Sequence, residues 1–158
     1  MIRVLHLSDF HFDEKYISEY KAEVEKLCES LESQRIDIVV FSGDLVNKGT
    51  KKETFSIASE ILFNPVLETV KCDKTNLLIV PGNHDVNRQS ELPIITKGID
   101  NISTLMGLEE FVSNKEQKEL SFERMKSYNE YVKDFYSDTN AYIDEYCFVN
   151  ILGSVVKF

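Results

Sequence analysis

The sequence predicts an α/β fold built on a parallel sheet, on three observations. Three short apolar runs alternate with two segments of helical periodicity over the first ninety residues. That strand–helix–strand–helix–strand order implies parallel strands joined by right-handed crossovers. Each apolar run also stops at a short polar motif: Asp9-Phe10-His11, Gly43-Asp44 and Gly82-Asn83-His84-Asp85. Ligands of such sheets bind beyond the carboxyl ends of the strands, where all three motifs fall.

The elements follow in order. Ile2 to Leu7 is apolar with β-branched content and reads as a buried strand that delivers Asp9 and His11. A helix is expected from Lys15 to Ser33, because Ile17, Tyr20, Val24, Leu27, Cys28 and Leu31 recur at three- and four-residue steps. Ile36 to Phe41 is the clearest strand and stops at Ser42-Gly43-Asp44. A second helix, Lys52 to Phe63, uses Phe55, Ile57, Ala58, Ile61 and Leu62, and Pro65 is expected to end or kink it. Asn76 to Val80 reads as a third buried strand, closed by Pro81-Gly82.

From Gln89 the texture changes. Residues 104–118 and 121–137 have helical character. In the second, Phe122, Met125, Tyr128, Val132, Phe135 and Tyr136 form a stripe expected to pack against the sheet or a neighbouring helix. Tyr142 to Leu152 and Ser154 to Phe158 read as strands, a hairpin around Gly153. The expected organisation is a single domain over 1–158, with a βαβαβ core at 1–90, a helical insertion or cap at 91–140, and strands at 141–158. Phe158 falls inside an apolar run where a domain more often ends in a polar tail, so the chain is expected to be the N-terminal part of a longer protein.

With 158 residues, 42% hydrophobic and 28% charged, the chain has the length and composition of one soluble globular domain. A net charge of −9 argues against a basic nucleic-acid-binding surface. It leaves a nucleotide or nucleic-acid substrate open, because metal ions can meet the phosphates. Cys28, Cys72 and Cys147 are widely spaced with no Cys-x-x-Cys, which argues against a thiolate zinc site and fits reduced thiols in the cytoplasm. No apolar run reaches the length of a membrane span, and the first residues are too short and too quickly polar for a signal peptide.

The motifs carry metal chemistry. Two divalent cations about 3.5–4 Å apart need a bridging oxygen and a mixed nitrogen and oxygen shell. Asp-x-His puts a carboxylate and an imidazole on one side of an extended loop. Gly43-Asp44 adds a second carboxylate on a turn that lets backbone approach closely. Gly82-Asn83-His84-Asp85 is the specific element, expected by chance on the order of once per thousand chains of this length. An amide oxygen from Asn83 can ligate a metal while His84 stays free, with Asp85 placed to orient it.

In these motifs and their order the chain resembles the calcineurin-like metallophosphoesterase superfamily, over roughly residues 2–88 and three of that family's five sequence blocks. The resemblance implies an αββα sandwich, here its N-terminal part with a helical insertion. It implies two divalent metal ions, Mn²⁺ first, with Fe, Zn²⁺ or Mg²⁺ as alternatives. Asp9 and His11 would bind the first metal, Asp44 would bridge both, and Asn83 would bind the second. His84 would be the general acid or the transition-state hydrogen-bond donor near the leaving group, oriented by Asp85. The reaction implied is hydrolysis of a phosphate ester by a metal-activated water.

The family's remaining blocks supply three further histidines, and this chain contains only His6, His11 and His84. His6 lies inside the first strand and reads as a structural histidine. Arg88 follows the third motif and reads as a solvated or structural arginine, with a substrate phosphate as the alternative. Two functions are therefore carried forward. One is a phosphodiesterase or phosphatase acting on a nucleotide, nucleic-acid or other phosphate ester. The other is a binding or assembly module whose metal site is finished by another segment or by a second copy. No Gly-rich phosphate loop supports an unrelated nucleotide-binding module.

Overall fold

Three parallel strands, β1 (Val4–Leu7), β2 (Ile38–Phe41) and β3 (Leu77–Ile79), lie side by side in the order β1-β2-β3. Val4 pairs with Ile38 and Leu7 with Phe41, while Val39 pairs with Leu77 and Phe41 with Ile79. The computed structural model describes residues 1–88, 103–114, 123–139, 142–143 and 149–150. The crossovers are helices α1 (Ile17–Leu31) and α2 (Lys52–Val70). Two crossovers of one hand stepping in one direction put both helices on the same face. Leu5, Leu7, Val39, Phe41, Leu77 and Ile79 point into that face and join Val24, Leu31, Phe55, Phe63 and Val66 in one core.

The opposite face is open among the described residues, which corrects the reading of β1 and β3 as buried strands. Val4 is 53% exposed, Leu78 37% and Val80 49%. Their alternation with covered neighbours is that of half-buried strands. His6 also lies on this face, its Nε2 2.8 Å from Ser42 Oγ.

A 3₁₀ turn at Glu14–Tyr16, capped by Asp13, leads into α1, so the α-helix starts later than the periodicity suggests. Helix α2 does not end at Phe63. It runs through Pro65 to Val70 and stops at Lys71, which takes the left-handed conformation with φ 58°. Proline lacks the N–H that would bond the Ile61 carbonyl, a local cost of about 3 kcal/mol. Burial of Val66, Leu67 and Val70 on the last turns offsets it.

Beyond the sheet, α3 (Leu105–Ser113) and α4 (Lys126–Phe135) match the two expected helices in part, and residues 115–118 and Phe122 lie outside the described residues. The aromatic stripe of α4 packs on α2, as expected. Tyr131 stacks on Phe55 with centroids 5.4 Å apart, and Phe135 meets Phe63 edge-on at 6.1 Å. The Tyr136 hydroxyl donates to the Leu77 carbonyl at 2.6 Å and ties the segment to β3. Strands β4 (Tyr142–Ile143) and β5 (Val149–Asn150) pair antiparallel, Tyr142 with Asn150 and Ile143 with Val149. Two paired strands therefore lie where one was expected over 142–152, and residues 144–148 and 151–152 lie outside the described residues. Gly153 and the run 154–158 lie outside the described residues. No described helix is long and apolar enough to cross a membrane.

Candidate metal centre

Each motif begins where a strand's ladder runs out. Past β1 and β2 the chains stay in register through irregular bonds, Asp9 N–H to Gly43 O at 3.0 Å and His11 N–H to Asp44 O at 2.9 Å. This contact forces unusual backbone. Asp9, His11 and Asp44 have φ of 60°, 48° and 60°, and apart from the helix-ending Lys71 they are the only described non-glycine residues with positive φ. Each such residue costs on the order of 1–2 kcal/mol, a strain that clusters at functional sites. The Tyr20 hydroxyl of α1 donates to the His11 carbonyl at 2.8 Å and holds the first loop down.

Glycine is required where the loops cross. Gly43 has φ 117°, and a Cβ there would lie 2.6 Å from Gly82 N. A Cβ on Gly82 would collide with the Asp44 carboxylate and peptide nitrogen. The second and third motifs therefore touch backbone to backbone.

Asp85 clamps this crossing from below. Its side chain is buried, at 1% exposure, and accepts four peptide N–H groups. Oδ2 takes those of Asp44 at 2.8 Å, Leu45 at 3.2 Å and Gly82 at 2.9 Å, and Oδ1 takes that of Val46 at 3.0 Å. Burial pushes the carboxyl's pKa up, and the four N–H donors pull it back. The expected contact from Asp85 to the His84 ring is absent among the described hydrogen bonds. His84 Nδ1 instead lies 3.0 Å from the Asn47 carbonyl oxygen. Asn47 is the residue sequence reasoning missed, because a backbone carbonyl leaves no side-chain signature.

The remaining side chains converge on Asp44. Its Oδ2 lies 4.0 Å from His11 Nε2, and His11 Nε2 lies 3.6 Å from Asp9 Oδ1. The same Oδ2 stands 3.2 Å from the Asn83 amide, while Oδ1 accepts the His84 peptide N–H at 2.8 Å. The rings of His11 and His84 meet edge-on at 4.7 Å. Single donor atoms of His11, Asp44 and His84 can be chosen that all lie within 4.8 Å of one another. Carboxylates, imidazole and amide are the donor set of Mn²⁺, Fe or Zn²⁺ rather than of Ca²⁺. Of the expected ligands, His11 and Asp44 share that 4.8 Å span with His84, while Asp9 stands beside His11 and the Asn83 amide beside Asp44. His6 is not part of this group, its Nε2 being engaged by Ser42.

A cavity of about 230 Å³ adjoins the cluster, lined by Asn47, Lys48, Thr50, His84, Val86 and Arg88 among others. Its charged lining is basic in a chain of net charge −9. A larger open depression of about 690 Å³, between Lys74 and Asp138, holds none of the motif residues.

Comparison with known proteins agrees with this geometry. The chain is 25% identical over 142 residues to the uncharacterized metallophosphoesterase-like protein YydB of Bacillus subtilis, covering 85% of this chain and 28% of that protein. It is 25% identical over 89 residues to the D subunit of the nuclease SbcCD of Escherichia coli, covering 53% of this chain and 21% of that one. The chain thus spans less than a third of the curated relatives it matches. Residues 2–153 match the calcineurin-like phosphoesterase family, and the chain belongs to that family.

Proposed function

We propose that this chain carries the substrate- and metal-binding half of a metal-dependent phosphoesterase. The observation that carries the reading is the convergence of His11, Asn83 and His84 on the single carboxylate of Asp44, with Asp9 beside His11. In this reading Asp9 and His11 would hold a first divalent ion, Asp44 would serve both, and Asn83 would hold a second. Mn²⁺ is the proposed metal. When bound, the ions neutralise the phosphate and lower the pKa of a water that serves as nucleophile.

The chain's own residues do the rest. Asn47 accepts from His84 Nδ1–H and so leaves Nε2 as the nitrogen that, in the imidazolium form, would protonate the departing oxygen. Asp85 acts through the backbone, holding Asp44 and Gly82 so that the ligands keep their spacing. The basic rim of Lys48 and Arg88 suits an anionic ester, and the likeness to part of a nuclease supports a nucleotide or nucleic-acid substrate.

A second reading follows from one observation. In the first reading the second ion would have only Asp44 and the neighbouring Asn83 amide as protein ligands, and two protein ligands hold an ion poorly. The chain would then be an assembly module whose remaining ligands come from another segment or a second copy. Hydrolysis of bis-p-nitrophenyl phosphate with added Mn²⁺, against Asp44→Asn and His84→Ala controls, separates the two. Turnover by the wild type that both controls abolish supports the enzyme. A folded, Mn²⁺-binding chain without turnover supports the module.

A further inference from the structure

The Asn83 amide stands between two groups. One edge is 3.2 Å from Asp44 Oδ2, and the other meets Arg88 Nη2. Arg88 Nε also donates to the Asn83 backbone carbonyl at 3.3 Å. An amide offers one oxygen edge and one NH₂ edge. Without a cation, the carboxylate needs the NH₂ edge and the guanidinium needs the oxygen. A cation shared by Asp44 and Asn83 needs the opposite, because the amide oxygen is the ligating atom. That setting turns NH₂ donors toward a guanidinium that only donates, and Arg88 must then leave. The two settings exclude each other.

We propose that Asn83 is a two-position switch. Arg88 holds the amide in its metal-free setting, and loading of the second metal position turns the amide and releases Arg88. Arg88 is thus a positioning residue that acts through Asn83. It borders the same cavity as Lys48 and His84, so its guanidinium is freed at the rim a phosphate ester would enter. The inference rests on the proposed roles of Asp44 and Asn83 as metal ligands.

The test is isothermal titration of the full chain with Mn²⁺, for the wild type, Arg88→Met, Asn83→Asp and the double variant. Asn83 and Arg88 are exposed, so none of these changes touches the core. Arg88→Met removes a competing charged hydrogen bond and is expected to tighten the weaker Mn²⁺ event roughly tenfold. A carboxylate has oxygen on both edges, so in the Asn83→Asp background the same change should do little. Equal tightening in both backgrounds would mean simple charge repulsion and overturn the switch. So would unchanged or weaker binding by Arg88→Met. Absence of Mn²⁺ binding by all four folded chains would overturn the metal reading, and the switch with it.

Discussion

His84 Nδ1 lies 3.0 Å from the carbonyl oxygen of Asn47. A carbonyl only accepts, so Nδ1 carries the proton and Nε2 is the free nitrogen. If His84 works as the acid rather than as a ligand, His84→Gln should lower kcat by about 10²–10⁴. KM and the number of Mn²⁺ ions bound should stay close to wild type. Loss of a bound metal in the variant, read by elemental analysis, would instead make His84 a ligand.

The Asp85 clamp makes a stability prediction. Asp85→Asn replaces one accepting oxygen by a donor that faces peptide N–H groups. The cost expected is about 2–4 kcal/mol, from buried donors left unpaired. Urea denaturation followed by circular dichroism measures it. A loss below about 0.5 kcal/mol would mean that the loops hold their crossing without the carboxylate.

The positive φ of Asp9, His11 and Asp44 is strain that a bound ion would help to hold. Mn²⁺ at a hundred times its Kd should stabilise the fold by about 2.7 kcal/mol, and EDTA should reverse the gain. Asp44→Ala should abolish the shift, since both proposed positions share its carboxylate. A thermal midpoint that rises equally with Mn²⁺ in the variant would place the ion elsewhere.

Tyr136 reaches from the end of α4 to the carbonyl of Leu77 in β3. Burial pushes the phenol's pKa far above its usual range, so the hydroxyl remains a donor at any working pH. Tyr136→Phe leaves that carbonyl unpaired and should cost about 1–2 kcal/mol in chemical denaturation. Tyr131→Phe, which loses its 2.5 Å contact with Ser59, should cost less, because Ser59 still donates to Phe55 O at 2.9 Å.

Val4, Leu78 and Val80 present apolar surface on the open sheet face, whereas all-parallel sheets are ordinarily covered on both sides. The isolated chain is expected to self-associate through this face. Sedimentation velocity should show concentration-dependent association that Leu78→Lys with Val80→Lys suppresses. A wild type that stays monomeric across the concentration range would remove this face as an interface.

Much of the fold was legible locally. Periodicity located α1 and α2 because a helix buries every third or fourth residue, and the three strands showed as short apolar runs that stop at polar motifs. It erred at Pro65, where a rule about one N–H was outweighed by the burial of Val66, Leu67 and Val70. It erred again on β1 and β3, since an apolar run does not reveal whether one face or both will be covered. The strands at Tyr142 and Val149 were merged into one because pairing is a relation between segments and not a property of either.

The sequence by itself determined the chemistry at hand: which carboxylates, imidazoles and amide exist, that they follow strands, and that a parallel sheet gathers strand ends on one edge. Only the tertiary structure decided how they meet. The convergence on Asp44, the grip of Asp85 on the peptide N–H groups of Asp44, Leu45 and Val46, and the Asn47 carbonyl behind His84 join residues from different loops, and the Arg88 contact with Asn83 folds one loop back on itself. Several of those partners are backbone atoms, which every residue carries alike. Local sequence can announce a donor or a ligand, but its partner is chosen by the crossing of loops, and that crossing exists only once the sheet has formed.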